Sequence, residues 1–482
     1  MSDITKKLGL MGLTAIVFSS IIGGGIYNIA QNMSAHAGLG AVIISWIITA
    51  IGMIFLVYSF KILSDTRPDL NAGIYQYAQA GFGNYVGFIV AWGYWLCTCT
   101  GNVAYAVMLN DSVGAFFPAF LKHGWQTVVF GSALIWLMYF IVVNGLKTAS
   151  FLNVVITVIQ MASLAVILGI LFIFAKMDML SFDFWGQVTD LGSVGSQVKT
   201  TMLVTLWCFT GIEGAVMMSS RAKKSSDVGK AGIIGFLCAW FIYALVSVLS
   251  FGIMKQAQLA GLPDPSVAYV LKAACGEWAY YFVLVTVMVS ITGGWIAWTL
   301  VCAQVPYEAA NVKIFPKRFL SLNKKEMPAF GLLVSTIVMQ VFMLLVVTSH
   351  QVYTAALDLT SIMVLPAYLF TGIYLWKASR NGSLYHGSVL SNKKRFFTFI
   401  GVGATIFCSY IVLSSNWSFI LVSTIFYFPG TFFYIKARKE NAPGEATFTT
   451  MEKWLCGIMA ACALVGLVML VRRIVKKLCL SI

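Results

Sequence analysis

The sequence predicts an all-α, polytopic membrane protein with twelve core helices, ten of them in two five-helix repeats of opposite orientation, and a thirteenth apolar segment beyond them. Three observations carry that expectation. Of 482 residues, 59% are hydrophobic and only 10% charged, whereas a soluble chain has about 25% charged residues. The apolar residues gather in runs of about 20, the length that spans a hydrocarbon core. Two runs at matching places in the two halves are interrupted by glycine, at Gly23, Gly24 and Gly25 and at Gly211 and Gly214.

The runs lie at 9–34, 39–61, 85–110, 124–144, 149–175, 199–220, 231–254, 278–304, 329–349, 354–377, 396–414 and 417–436, followed by 454–471. Lys6 and Lys7 precede the first run without a small-residue cleavage site, so it reads as a retained helix and not as a removed signal peptide. Residues 1–175 form the first five-helix repeat and 199–377 the second; 396–436 hold helices 11 and 12, and 454–471 the extra segment. The runs at 39–61 and 85–110 pair with those at 231–254 and 278–304 at a near-constant offset. Five is odd, so the second set enters the membrane from the opposite side.

Lys plus Arg is 32 and Asp plus Glu 17, a net charge of +15. In a soluble chain that excess would suggest nucleic acid. Here it reports topology: with the N-terminus inside, the first twelve runs leave only Lys122, Lys176, Lys199, Lys255 and Lys272 outside. Cytoplasmic loops gather Lys and Arg, so the chain is expected in the cytoplasmic (inner) membrane, its N-terminus cytoplasmic, with no nucleic-acid partner. If 454–471 spans, Arg472, Arg473, Lys476 and Lys477 emerge outside; if it lies in the interface, they stay inside. Cys97 and Cys99 form a C-x-C inside a run with no His or second pair nearby, so they read as small buried residues and not as a metal or disulfide site. No metal or cofactor is expected.

Glycines can simply let helices approach closely. Three in a row go further, weakening the helix by roughly 1 kcal/mol each relative to Ala. The second break also carries Glu213, and an acid at membrane depth costs at least about 2.5 kcal/mol and is by default functional. Gly-interrupted helices at corresponding positions of inverted repeats point to a binding site at the repeat interface.

Taken together, Ile22-Gly23-Gly24-Gly25-Ile26-Tyr27, then Pro68, Gly73, Tyr75, Tyr77, Gly81 and Gly83 leading into Trp92, Tyr94 and Trp95, then Gly101-Asn102, Trp207 through Glu213, Gly293-Gly294-Trp295, Phe315-Pro316, Asn323 and Pro328 form an ordered set of motifs. On these the chain resembles the amino acid–polyamine–organocation superfamily of secondary transporters, and within it the basic amino acid antiporters that exchange arginine for ornithine or agmatine. The resemblance covers nearly the whole twelve-helix core and implies the five-plus-five inverted repeat of LeuT type. It departs in two places. The middle residue of the first break, often Ser or Ala, is Gly24, so no hydroxyl is available there. The usual Gly-Gly before the Tyr preceding helix 3 is Ala72-Gly73.

Backbone N–H groups at Gly23, Gly24 and Gly25 suit a carboxylate, which the positive end of a half-helix favours. Carbonyls near Ile21, Trp207 and Thr210 can accept from an α-ammonium, and the resemblance points to the same positions. It also implies Cys97, Thr98, Asn102 and Trp295 around the distal group, where an indole face can hold a cation for about 0.5–2 kcal/mol. Tyr94, Trp207 and Glu213 are candidates for gating or proton sensing. Tyr27, Tyr368 and Phe209 could also close the pathway, and Asp358 is a further acid within a run.

The expected partners are a cationic amino acid and its product, the lipid bilayer, and a second copy in a homodimer. No G-x-x-x-x-G-K-[ST] sequence is present, so exchange or ion gradients must drive movement. A proton- or sodium-coupled importer, a lysine/cadaverine exchanger and a receptor that binds without transport are the alternatives. Four scattered histidines, His36, His123, His350 and His386, argue against an enzyme.

Overall fold

The computed structural model describes residues 9–70, 72–122, 124–217, 222–345, 352–382, 384, 393–415 and 417–480. Lys6, Lys7, Arg221, His123, His350, His386 and the side chain of Asp358 lie outside the described residues. Within the described residues every run predicted from the sequence falls on helix, with interruptions at 22–23 and 209–213. The first is α1 (Leu10–Ile21), a 3-10 turn (Gly24–Tyr27) and α2 (Ile29–Ser34). Then come α3 (Leu39–Thr66), α4 (Tyr75–Phe82), α5 (Asn84–Gly114), α6 (Trp125–Val143), α7 (Leu146–Phe174) and the short α8 (Met177–Ser181). The second half holds α9 (Val194–Cys208), α10 (Gly214–Met217), α11 (Ser225–Phe251), α12 (Gln256–Ala260), α13 (Ser266–Cys275), α14 (Glu277–Asn311), α15 (Ala329–Leu345) and α16 (Val352–Arg380). The last four are α17 (Lys394–Ser414), α18 (Trp417–Tyr427), α19 (Gly430–Asn441) and α20 (Thr450–Leu480). Among the described residues there is no strand, and nine helices are long and apolar enough to cross a membrane.

The differences from the sequence expectation have local causes. α3 continues past 61 to Thr66, and Lys61 and Asp65, one turn apart on that extension, pair at 3.0 Å. α9 starts before 199 because Ser193 Oγ accepts from the Ser196 N–H at 3.3 Å, a side-chain cap on the first turn. The run at 417–436 divides at Pro429, which begins α19 as its cap.

In lipid every backbone polar group needs a partner within the protein, and two interior prolines show how this chain provides one. Pro306 in α14 has no N–H for the Cys302 carbonyl. Ser335 Oγ of α15 donates to that carbonyl at 2.9 Å and itself accepts from the Trp95 indole N–H of α5 at 2.8 Å. Near Pro366 in α16, the Tyr427 hydroxyl of α18 donates to the Met363 carbonyl at 3.1 Å. Small polar pairs join other helices: Ser45 with Thr201 at 2.7 Å and Thr49 with Thr205 at 2.8 Å, one turn apart, hold α3 on α9. Cys97 and Cys99 are free and buried, as their place inside an apolar run predicts.

α20 lies against α18 with most of its surface exposed, but its first turn is anchored. Thr449 and Glu452 form a reciprocal cap: the Thr449 N–H donates to Glu452 Oε2 at 2.8 Å and the Glu452 N–H to Thr449 Oγ1 at 3.3 Å. The other oxygen, Oε1, accepts from the Tyr85 N–H of α5 at 2.9 Å, so one carboxylate caps two helices. Glu452 is only 6% exposed. Replacing it by Ala orphans both N–H groups, a loss of about 0.5–2 kcal/mol per cap. Glu452→Ala is therefore expected to lower the apparent melting temperature of the detergent-solubilised protein, whereas Glu445→Ala, at a pair with Arg438 whose Glu445 side chain is 70% exposed, leaves it unchanged.

Candidate functional site

The two predicted breaks meet. After α1 the chain passes through Ile22 and Gly23 before the 3-10 turn, and after Cys208 it loses helix over 209–213. Gly211 has φ +110°, a conformation that a side chain disfavours, and a Cβ there would lie 2.5 Å from the Ser20 carbonyl oxygen. Ser20 Oγ donates to the Gly211 carbonyl at 2.9 Å, tying one break to the other. The carbonyls released by the first break also find donors. Ile21 O accepts from the Gly23 N–H at 3.1 Å and from the Tyr243 hydroxyl at 3.2 Å, and Ile22 O accepts from Gln160 Nε2 at 2.5 Å.

Glu213 is fully buried. Its Oε1 accepts from the Tyr94 hydroxyl of α5 at 2.6 Å, and its Oε2 from the Tyr368 hydroxyl of α16 at 2.7 Å and the Gly211 N–H at 3.2 Å. One carboxylate thus ties three elements together through short hydrogen bonds of the kind that an ionised acceptor strengthens. Of the other aromatic candidates, Tyr27 donates to Ser290 Oγ at 3.1 Å, and the Phe209 ring packs on Trp46, Phe236 and Tyr243.

Between the breaks and α5 lies a small cavity of about 40 Å³. Ile21, Gly23, Gly24, Gly25, Cys97, Trp207 and Thr210 line it. The Trp207 indole lies against Gly25 so closely that a Cβ there would collide with its ring. Thr98, Asn102 and Trp295 are not on the wall; Thr98 and Asn102 form a polar knot between α5 and α14. Cys302 Sγ donates to Thr98 Oγ1 at 3.1 Å, and Asn102 Nδ2 donates to Cys302 Sγ at 3.1 Å and to the Thr98 carbonyl at 3.0 Å. Asn102 Oδ1, Thr210 Oγ1 and Trp295 Nε1 are buried without a hydrogen-bond partner, an uncommon state for buried polar atoms.

The wall also has Gly101, Ala104, Tyr105, Met108, Trp298 and Thr360, which sequence reasoning did not single out for the site. A signal was present for part of it: Cys97, Gly101, Ala104, Tyr105 and Met108 repeat at helical spacing, so one face of α5 supplies one wall. Gln160 too is a long polar side chain inside an apolar run. No cationic side chain is among the lining residues.

A many-helix membrane protein with a cavity between two broken helices has the build of a carrier for small solutes. The sequence model of the family described as amino acid permease matches residues 8–471, and the chain belongs to that family. An arginine/agmatine antiporter of Chlamydia caviae is 41% identical over 469 residues, 96% of each chain. An arginine/agmatine antiporter of Chlamydia trachomatis serovar L2 is 39% identical over 467 residues, again 96% of each. A Clostridium perfringens protein, named for amino-acid transport without a stated substrate, is 40% identical over 474 residues, 96% of this chain and 98% of its own.

The contact between the breaks leaves no room for a side chain at 211. Gly211→Ala is expected to destabilise the protein by about 1–3 kcal/mol, the cost of holding a non-glycine residue in such a conformation, and to weaken substrate binding. Gly457→Ala, where a Cβ meets nothing within 4 Å, serves as the control. Thermal unfolding in detergent with a binding assay reads both.

Proposed function

We propose that this protein is an exchanger, not an enzyme, that carries arginine in one direction and agmatine, its decarboxylated product, in the other, across the cytoplasmic membrane. The cavity carries this reading: it is walled by the glycines of one break, roofed by an indole, has no cationic side chain on its wall and lies beside a buried carboxylate. The α-carboxylate would lie against Gly23, Gly24 and Gly25, the α-ammonium against the second break at Thr210, and the distal cation along α5 toward Asn102, whose Oδ1 is buried behind the cavity wall without a hydrogen-bond partner. The names of the Chlamydia relatives support the arginine/agmatine pair.

Movement would follow alternating access, with the helices of the runs 9–34, 39–61, 199–220 and 231–254 rocking as a bundle against those of 85–110, 124–144, 278–304 and 329–349 about a fixed site. The gathering of Lys and Arg on one side supports a cytoplasmic N-terminus. On that orientation Tyr94, one turn from Cys97 toward the Asn84 end of α5, joins Glu213 and Tyr368 in a gate on the cytoplasmic side of the cavity. Protonating Glu213 would remove the ionic acceptor that holds both phenols and loosen that gate.

Proteoliposomes loaded separately with arginine, agmatine, ornithine, lysine or cadaverine test the exchange. Labelled arginine uptake is expected with internal arginine or agmatine and not into empty vesicles. Uptake into empty vesicles under an imposed proton or sodium gradient would establish symport instead, and trans-stimulation by ornithine or cadaverine, but not agmatine, would change the exchanged product. Glu213→Gln is expected to flatten the pH dependence of exchange; an unchanged profile would remove its sensing role.

A further inference from the structure

The first break has no hydroxyl of its own, since positions 23, 24 and 25 are all glycine. The structure brings one from another helix. Tyr105 of α5 reaches across the cavity wall so that its hydroxyl lies over Gly23, where a Cβ would collide with it, and its Cζ is 3.2 Å from that point. On its other side the hydroxyl is 3.4 Å from where a Cβ of Gly294 in α14 would stand. Two glycines from separate helices therefore make the slot that holds this phenol. Tyr105 is half-buried, and among the described residues its hydroxyl has no hydrogen-bond partner, which leaves its proton available to a ligand in the cavity. It is a donor on the wall of the cavity, placed where the backbone of the break faces the substrate.

We propose that the Tyr105 hydroxyl donates to the α-carboxylate of the substrate at the Gly23 break, supplying from α5 the hydroxyl that Gly24 cannot provide, and so favours an amino acid over its decarboxylated amine. This rests on the exchange reading above. Agmatine has no carboxylate and gains nothing from this contact, so Tyr105 affects the two sides of the exchange unequally.

The test is Tyr105→Phe, which removes the oxygen and keeps the ring, with KM measured in proteoliposomes for labelled arginine and labelled agmatine against the same internal arginine. A hydrogen bond to a charged group is worth enough to raise the arginine KM by roughly tenfold or more. The agmatine KM is expected to stay within about twofold, which also shows that the variant is folded and turns over. Equal shifts for the two compounds, no shift for either, or loss of both activities in the variant would overturn the proposal. Failure of the unaltered protein to take up either compound would sink the exchange reading and this proposal with it.

Discussion

Interrupting a helix inside a bilayer frees backbone N–H and C=O groups where no water can reach them, at a cost of several kcal/mol for each group left alone. The architecture around 21–25 and 209–213 is organised by that constraint. Gln160 and Tyr243 take up carbonyls of the first break, Ser20 takes up the Gly211 carbonyl, and Glu213 accepts the Gly211 N–H. Because two of these bonds lie in or between the breaks themselves, the interruptions must face each other. A cavity between them follows from the shortage of side chains: glycine at 23, 24, 25 and 211 leaves space that Trp207 and Tyr105 fill only in part.

The same constraint explains why α5 serves as the fixed wall. Its N-terminus is capped by Glu452 from α20, and its middle is held by the Trp95 and Asn102 bonds to α15 and α14. One face between Cys97 and Met108 lines the cavity. The adjoining Tyr94 bond to Glu213 is the contact through which this held helix meets the second break. A broken helix with its polar groups satisfied by a few side chains can exchange those partners at modest cost, whereas a continuous helix held at its N-terminus and its middle cannot. Movement is therefore expected in the broken elements and not in α5.

The apolar runs were legible because each is long and bounded by polar residues, and both breaks were legible because consecutive glycine and an acid contradict their surroundings. The short helices α4, α8, α12 and α13 were not, since a segment of 5 to 10 residues carries too few turns for its periodicity to stand out. Nothing local in the sequence marks Glu452, a charge before an apolar run; only the distant Tyr85 N–H gives it a purpose. Tyr105 is one of 20 tyrosines, and nothing local separates it from the packing aromatics. Thr98, Asn102 and Trp295 entered through family resemblance, and the structure sets them off the cavity wall, with Thr98 and Asn102 bonded to Cys302.

The central claim is that the two breaks together form one substrate site. A density map of the protein with arginine bound would test it most directly. The account predicts the α-carboxylate against the backbone of Gly23, Gly24 and Gly25, with the guanidinium extending along α5 and the Trp207 ring over the ligand. Arginine density elsewhere, with the cavity between the breaks closed and dry, would contradict it.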